Sequence, residues 1–242
     1  PAGGAMRIFT GAPMPPGADT VVMQERTDRD GEQVRIFGEH RTGAHIRARG
    51  EDLAEGSVFL EAGDQVDAGA IGLLSSQGYA YVRVHRRPRV AILSTGDELR
   101  DADAPPSPGT IVDSNSYALA AQVREAGGEP VVLARAPDDL DAIAERIREG
   151  LRADVLLTCG GVSVGEYDLV HRAFEKAGVE MGFWKVAIKP GKPLAFGTGD
   201  GTPVVGLPGN PVSAMITFEI LVRPGLRRML GSGNRTSERS TA

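Results

Sequence analysis

Hydrophobic and polar positions change their period along this chain. From Arg89 onward, short apolar runs alternate with stretches whose apolar residues recur every three or four positions. Arg89-Val90-Ala91-Ile92-Leu93, Val131-Val132-Leu133 and Val155-Leu156-Leu157 predict buried strands. Between them, Ser114 to Ala126 carries Leu119, Val123 and Ala126 on one face, and Gly127-Gly128 predicts its end. A second helix is expected from near Asp138, with Leu140, Ile143 and Ile147 on one side and Gly150 as its stop. A third runs from Asp168 to Ala177, with Val170, Ala173, Phe174 and Ala177 on its apolar face. The order βαβαβα implies an α/β fold, a mostly parallel sheet with helices on both faces, because parallel strands need crossovers that pack back onto the sheet. Further on, Leu194-Ala195-Phe196 and Val204-Val205-Gly206 flank Gly199-Asp200-Gly201, a hairpin signal, and a last helix is expected at Asn210-Pro211.

The preceding residues follow another pattern. Met6-Arg7-Ile8-Phe9 and Thr20-Val21-Val22-Met23 read as short strands around the turn Pro15-Pro16-Gly17. An apolar helix is predicted from Asp67, its N-cap, to Gln77, with Gly78 as the stop. The expected organisation is a β-rich module over 1–42, a linking and dimerisation segment over 43–87, the α/β domain over 88–231 and a disordered polar tail over 232–242. Pro1 rather than methionine opens the chain, so it reads as a fragment.

Composition narrows the function classes. Apolar residues at 41% and charged residues at 24% fit a folded globular protein, and a net charge of −5 argues against a nucleic-acid partner. Cys159 is the single cysteine, which removes disulfide frameworks and cysteine-based zinc sites within the chain and reads as a small buried hydrophobe. His40, His45, His85 and His171 lack paired spacing for a metal. With neither a bilayer-length apolar run nor a signal peptide, the expectation is a cytoplasmic protein without membrane contact.

Four loops fall where such a sheet places ligands, at strand ends or before helices. In Ser94-Thr95-Gly96-Asp97-Glu98, Gly96 permits a tight approach while Asp97 and Glu98 offer oxygen to a hard cation; alone, an exposed capping loop is the better reading. Cys159-Gly160-Gly161-Val162-Ser163-Val164-Gly165-Glu166-Tyr167-Asp168 presents backbone N–H groups to an anion, with capping and metal binding equal alternatives for Asp168. Lys185 and Lys189-Pro190-Gly191-Lys192-Pro193 hold lysines on a stiff loop suited to an oxyanion. Gly206-Leu207-Pro208-Gly209-Asn210-Pro211-Val212-Ser213 turns into an open helix N-terminus. No Gly-x-Ser-x-Gly elbow supports acyl transfer, so phosphate or oxyanion chemistry remains.

Taken in order with Arg7-Ile8-Phe9-Thr10-Gly11-Ala12-Pro13 and Gly50-Glu51-Asp52, these loops resemble those of the molybdopterin molybdenumtransferase family, which includes bacterial MoeA and the related domain of gephyrin. The resemblance covers Ala5 to Gly231 and implies an enzyme of molybdenum cofactor biosynthesis. Such an enzyme takes adenylylated molybdopterin and molybdate, uses Mg2+ and releases AMP. It implies a homodimer whose cleft lies between the α/β domain and the partner's β-rich module, with a molybdopterin-adenylylating protein and molybdoenzyme acceptors as further partners. By the same likeness the catalytic group is Asp52, Glu98, Asp138, Asp168, Lys185 and Lys189, and the metal group Asp97, Glu98 and Asp168. Ligand contacts are expected from Thr10, Gly96, Gly160, Gly161, Ser163, Lys192, Pro208, Gly209, Asn210, Pro211 and Ser213. The family's first helical segment and the small β domain that follows its α/β domain are absent from this sequence. A molybdopterin adenylyltransferase, or a non-catalytic scaffold or ligand-binding module of the same fold, are the alternatives.

Overall fold

The computed structural model describes residues 3–160, 167–189 and 191–232, and for Tyr167 and Asp168 the backbone alone. The chain forms two compact units, Pro1–Phe59 and Leu60–Ala242.

In the first unit the regular structure is a hairpin of β1 (Thr27–Asp30) and β2 (Gln33–Ile36), entered through a single 3₁₀ turn at Gln24–Arg26. Gly31, at φ +60°, takes the first loop position, where a two-residue hairpin turn demands a positive φ. The strands expected at Met6–Phe9 and Thr20–Met23 do not form. Met6 and Phe9 are both exposed, and the Arg7 guanidinium lies 5.3 Å from the Phe9 ring centre. The second run and its neighbours make scattered backbone bonds, Val21 N–H to Ala44 O (3.1 Å), Gly43 N–H to Asp19 O (2.8 Å) and Arg26 N–H to Met23 O (2.9 Å), which form no ladder.

The second unit opens with α1 (Ala68–Ser76), capped by the Asp67 carboxylate on Ala70 N–H at 2.8 Å. A six-stranded sheet follows, built from β3 (Arg89–Ser94), β6 (Glu129–Val132), β7 (Val155–Cys159), β8 (Glu180–Phe183), β9 (Ala195–Gly199) and β10 (Thr202–Leu207). Its order is β6-β3-β7-β10-β9-β8. The pairs β3–β6, β3–β7 and β7–β10 are parallel, while β9–β10 and β8–β9 are antiparallel. A two-residue parallel pair, β4 (Leu99–Arg100) with β5 (Ile111–Val112), closes an excursion after β3.

Alternation along the buried strands feeds two cores. Val90, Ile92, Val155, Leu157, Val205 and Leu207 face α2 (Ser114–Glu125) and the helix beginning at α5 (Pro211–Thr217). Ala91, Leu93, Leu156 and Val204 face α3 (Leu140–Gly150) and α4 (Tyr167–Lys176). The helix that starts at α5 passes through a π-helical turn at Phe218–Val222 into α6 (Arg223–Met229). Pro224 has no N–H for the preceding turn, and the wider winding accommodates that gap while Phe218 stays buried.

Most elements lie within two residues of their expected positions. The β9–β10 turn is the clearest case, since Asp200 (φ +50°) and Gly201 (φ +79°) adopt the paired positive angles of a two-residue hairpin. Two expectations are corrected. The N-cap of α3 is Asp139, which accepts from Asp141 and Ala142 N–H, so Asp138 stands outside the helix. Helix α4 starts at Tyr167, which puts Asp168 inside its first turn rather than at its cap. Of the expected tail over 232–242, all but Ser232 lies outside the described residues.

Asp154 fastens the entry to the sheet. It accepts Arg89 N–H at 2.7 Å, receives both arms of the Arg86 guanidinium, and donates its own N–H to Arg89 O at 2.8 Å. The Arg86 hydrogen bond, followed by the Arg89 N–H, outweighs the opposing effect of burial and holds this carboxyl below the ordinary aspartate range. A depressed folded-state pKa contributes stability above the unfolded value that is lost as pH falls through the folded one. Asp154→Ala is therefore expected to cost about 1–2 kcal/mol at neutral pH, mostly through the backbone bond, because the exposed arginine is screened. The deficit should shrink as pH falls from the ordinary value of about 3.9 toward the lower folded-state value. Urea unfolding across that range checks it, and a constant deficit would show that the charge of Asp154 contributes nothing.

Candidate functional site

Strand order decides where a ligand can sit. After β3 the chain crosses to β6 on one side and returns to β7 on the other, so the loops leaving β3 and β7 diverge around a crevice at the carboxyl edge. Those loops touch through their backbones. Gly160 has φ +92°, and a Cβ there would stand 2.9 Å from Thr95 O and 3.5 Å from Thr95 Oγ1. On the β10 side, a Cβ on Gly209 would lie 3.7 Å from the Gly160 Cα. Three strand ends thus converge on one point, and Gly160 is the residue that lets them.

The loop after β3 is bound to the segment before α3. Thr95 bridges Ala136, Gly96 N–H donates to Ala136 O at 3.3 Å, and Ala136 N–H donates to Ser94 O at 3.2 Å. Asp97 and Asp138 then exchange bonds: Asp138 N–H donates to Asp97 Oδ1 at 3.1 Å, and Asp97 N–H to Asp138 Oδ2 at 3.4 Å. Gly96, at φ +136°, leaves the space in which the Glu98 carboxylate folds back over it. Asp97, Glu98 and Asp138 therefore belong to one assembly of two loops, with Asp97 and Glu98 exposed.

On the opposite core face, α2 begins with a buried polar chain. Asp113 caps Ser116 N–H at 3.1 Å and accepts Ser116 Oγ at 2.6 Å, while Ser116 Oγ meets Ser94 Oγ at 2.8 Å. Asn115 Nδ2 donates to Gly209 O at 2.8 Å, whereas its buried Oδ1 has no partner. Sequence reasoning missed Asp113, Asn115 and Ser116. Their signal was the polar run Asp113-Ser114-Asn115-Ser116 directly after an apolar pair, which reads most simply as a helix start.

Helix α5 is capped by Asn210 on Ser213 N–H at 3.1 Å, with Pro208 buried just before it. The lysine loop rests on this helix: Gly191, at φ +115°, sits where a Cβ would be 2.7 Å from Thr217 Oγ1, and Val186 N–H donates to Lys192 O at 3.1 Å. Lys185, Lys189 and Lys192 are exposed, as are Pro211 and Gly209.

The remaining expected residues fall elsewhere. Thr10 and Asp52 belong to the first unit, where Asp52 is exposed and paired with Arg47 at 2.7 Å. Gly161 and Ser163 lie outside the described residues, and for Asp168 the side chain does. Burial, with the nearby Asp113 charge adding to it, pushes the Cys159 thiol far above its usual range, so it remains a protonated core residue.

Among the described residues no three histidine, cysteine or acidic side chains converge as a cage for a bare ion. Asp97 and Glu98 instead suit magnesium, which is held through one or two carboxylates together with substrate phosphates. Among the described residues no helix is long and apolar enough to cross a membrane.

Comparison with known proteins identifies the family. Residues 91–228 match the family described as a probable molybdopterin binding domain, and residues 1–78 match the MoeA N-terminal region (domain I and II). The chain belongs to the MoeA family. It is 42% identical over 233 residues to the molybdopterin molybdenumtransferase of Nostoc sp., covering 95% of this chain and 53% of that protein. It is 44% identical to molybdopterin molybdenumtransferase 2 of Mycobacterium tuberculosis, covering 94% of this chain and 58% of that one. Among solved structures, a molybdopterin biosynthesis MoeA protein from Pyrococcus horikoshii OT3 superposes with a TM-score of 0.69 at 30% identity, over 97% of this chain and 60% of that one. This chain therefore spans little more than half the length of the MoeA relatives it matches.

The close approach at Gly160 gives a direct test. Gly160→Ala combines a strained φ with a backbone collision, whereas Gly201→Ala, also at positive φ but facing open space, carries the strain alone. Gly201→Ala is expected to cost about 1 kcal/mol and Gly160→Ala at least about 2. Denaturant midpoints measure both, and equal losses would mean that the loops at β3 and β7 move apart freely.

Proposed function

We propose that the protein containing this chain inserts molybdate into adenylylated molybdopterin and releases AMP; the relatives that support transfer of molybdenum to molybdopterin are named molybdopterin molybdenumtransferases. The observation that carries the reading is the convergence at one sheet edge of a carboxylate assembly, Asp97, Glu98 and Asp138, with loops leading to the exposed lysines Lys185, Lys189 and Lys192. Molybdate is a dianion and the cofactor precursor carries a phosphate anhydride, so the site must gather negative charge and hold two reactants in fixed geometry.

The residues divide that task. Lys189 and Lys192 attract and orient the oxyanions. Asp97 and Glu98 would hold magnesium against the anhydride, with Asp168 as the expected further ligand, and magnesium when bound supplies neutralising charge there. Asp138 acts through Asp97, fixing its carboxylate and main chain. Gly160 and Gly209 offer backbone at close range, and the unpartnered Asn115 Oδ1 offers an acceptor to a donor on the nucleotide or pterin. Thr10 and Asp52 would join from the first unit of a second copy in a homodimer. A cytoplasmic location, an adenylylating protein upstream and molybdoenzyme acceptors downstream complete the proposal.

The experiment is AMP release from adenylylated molybdopterin with and without molybdate. Release that depends on molybdate and magnesium is expected. Replacing both Lys189 and Lys192 with glutamine should weaken molybdate binding by roughly tenfold per lysine at low salt, with a shallower salt dependence. Pyrophosphate release from ATP and molybdopterin would point instead to an adenylyltransferase, and AMP release that ignores molybdate would remove the reading.

A further inference from the structure

Between the two carboxylate loops lies a guanidinium with no role in the scheme above. Arg135, immediately before Ala136, sends Nη1 to Leu99 O and Nη2 to Asp101 Oδ2 at 3.2 Å, with its side chain 30% exposed. Glu98 therefore has a fastening on each side. Asp97 before it is tied to Asp138, and Leu99 after it is tied to Arg135. Its own carbonyl accepts Ile111 N–H at 2.8 Å, the first bond of the β4–β5 pair, and Asp113 N–H follows onto Arg100 O at 2.9 Å. The neighbouring Arg100 turns its Nη1 to the carbonyls of Asp101 and Ala104. Among the described residues Arg135 is thus the guanidinium that ties the loop after β3 to the segment after β6.

We propose that Arg135 is a positioning residue of the magnesium and phosphate site, its fork spanning the two loops so that Glu98 is held in place before any ligand arrives. The inference rests on the functional reading above. A planar guanidinium suits the task because it bridges a carbonyl and a carboxylate in fixed directions, which a lysine cannot do. The alternative is that Arg135 merely offsets acidic charge or adds stability, and the two roles predict opposite signs. Removing a positive charge beside carboxylates should tighten a cation if charge is all that matters. Removing a positioning group should loosen it, by roughly tenfold for a residue that orients a metal ligand.

The test uses this chain, AMP and magnesium chloride. Calorimetry measures magnesium affinity at saturating AMP, and AMP affinity without magnesium, for the unaltered protein and for Arg135→Gln, Arg135→Lys and Asp101→Asn. Arg135→Gln is expected to weaken magnesium roughly tenfold while leaving magnesium-free AMP binding unchanged. Arg135→Lys should recover only part of that loss, and Asp101→Asn, which keeps the Leu99 arm, should fall between. Hydrogen exchange supplies a second readout: the Ile111 and Asp113 amides should exchange faster in Arg135→Gln, with those of β3 and β7 unaffected. If Arg135→Gln does not fold, Asp101→Asn on its exposed side chain decides the matter by exchange at Ile111 and Asp113, because losing a carboxylate weakens a cation by charge alone. Magnesium affinity that stays constant or rises, or unaltered exchange at Ile111, overturns the proposal alone. Failure of the unaltered protein to bind AMP with magnesium removes the functional reading and this inference with it.

Discussion

Contact between main chains at the carboxyl edge of the sheet is the constraint on which the site depends. Parallel strands β3 and β7 run side by side, but their loops must part around the crevice created by the crossover to β6. Gly160 lets them touch before they part, and Gly209 brings the β10 loop to the same point. A methyl group at Gly160 would meet Thr95 O and set these loops farther apart, whereas one at Gly209 would make an ordinary contact. The crevice is therefore fixed by backbone geometry, and its polar groups are arranged on a frame that already exists.

Charge is distributed on that frame with a clear division. The acidic groups Asp97, Glu98 and Asp138 follow β3 and β6, and they are bound to one another by main-chain donors rather than by lysines. The lysines sit on the loop before β9, seated against α5 through Gly191. Opposite charges that paired directly would cancel and leave little for a ligand. Kept on separate supports, they can act on the two ends of a substrate that is itself anionic and metal-bound.

Much of the α/β fold was legible in the sequence because burial on both faces writes a plain signal. Runs such as Val90-Ala91-Ile92-Leu93 have no polar face to confuse the period, and Asp200-Gly201 specifies its own turn. Elements held by non-local bonds left weaker traces. Strand β8, Glu180-Met181-Gly182-Phe183, has a glycine and an irregular register and shows no alternation; β4 and β5 are two residues each and exist only because they pair. In the site, the glycine-rich and lysine loops stood out by composition. Asn115, Ser116 and Arg135 did not, because their importance lies in partners 22 to 94 residues away: Ser94 for Ser116, Leu99 for Arg135 and Gly209 for Asn115. The misplaced strands at Met6–Phe9 and Thr20–Met23 fail for the opposite reason, since local β propensity found no second strand to pair with.

Beside the side-chain bonds of Asp97, Asp138 and Arg135, the loops after β3 and β6 are joined by main chain alone at Thr95 and Ala136, from Gly96 N–H to Ala136 O and from Ala136 N–H to Ser94 O. The main-chain part of this scaffold is indifferent to what its exposed positions carry. Residues such as Glu98 and Lys192 can be exchanged by mutation without first having to preserve the architecture that displays them. The fold thereby separates durability from chemistry, and a lineage can explore new ligands at this edge while the sheet beneath it remains intact.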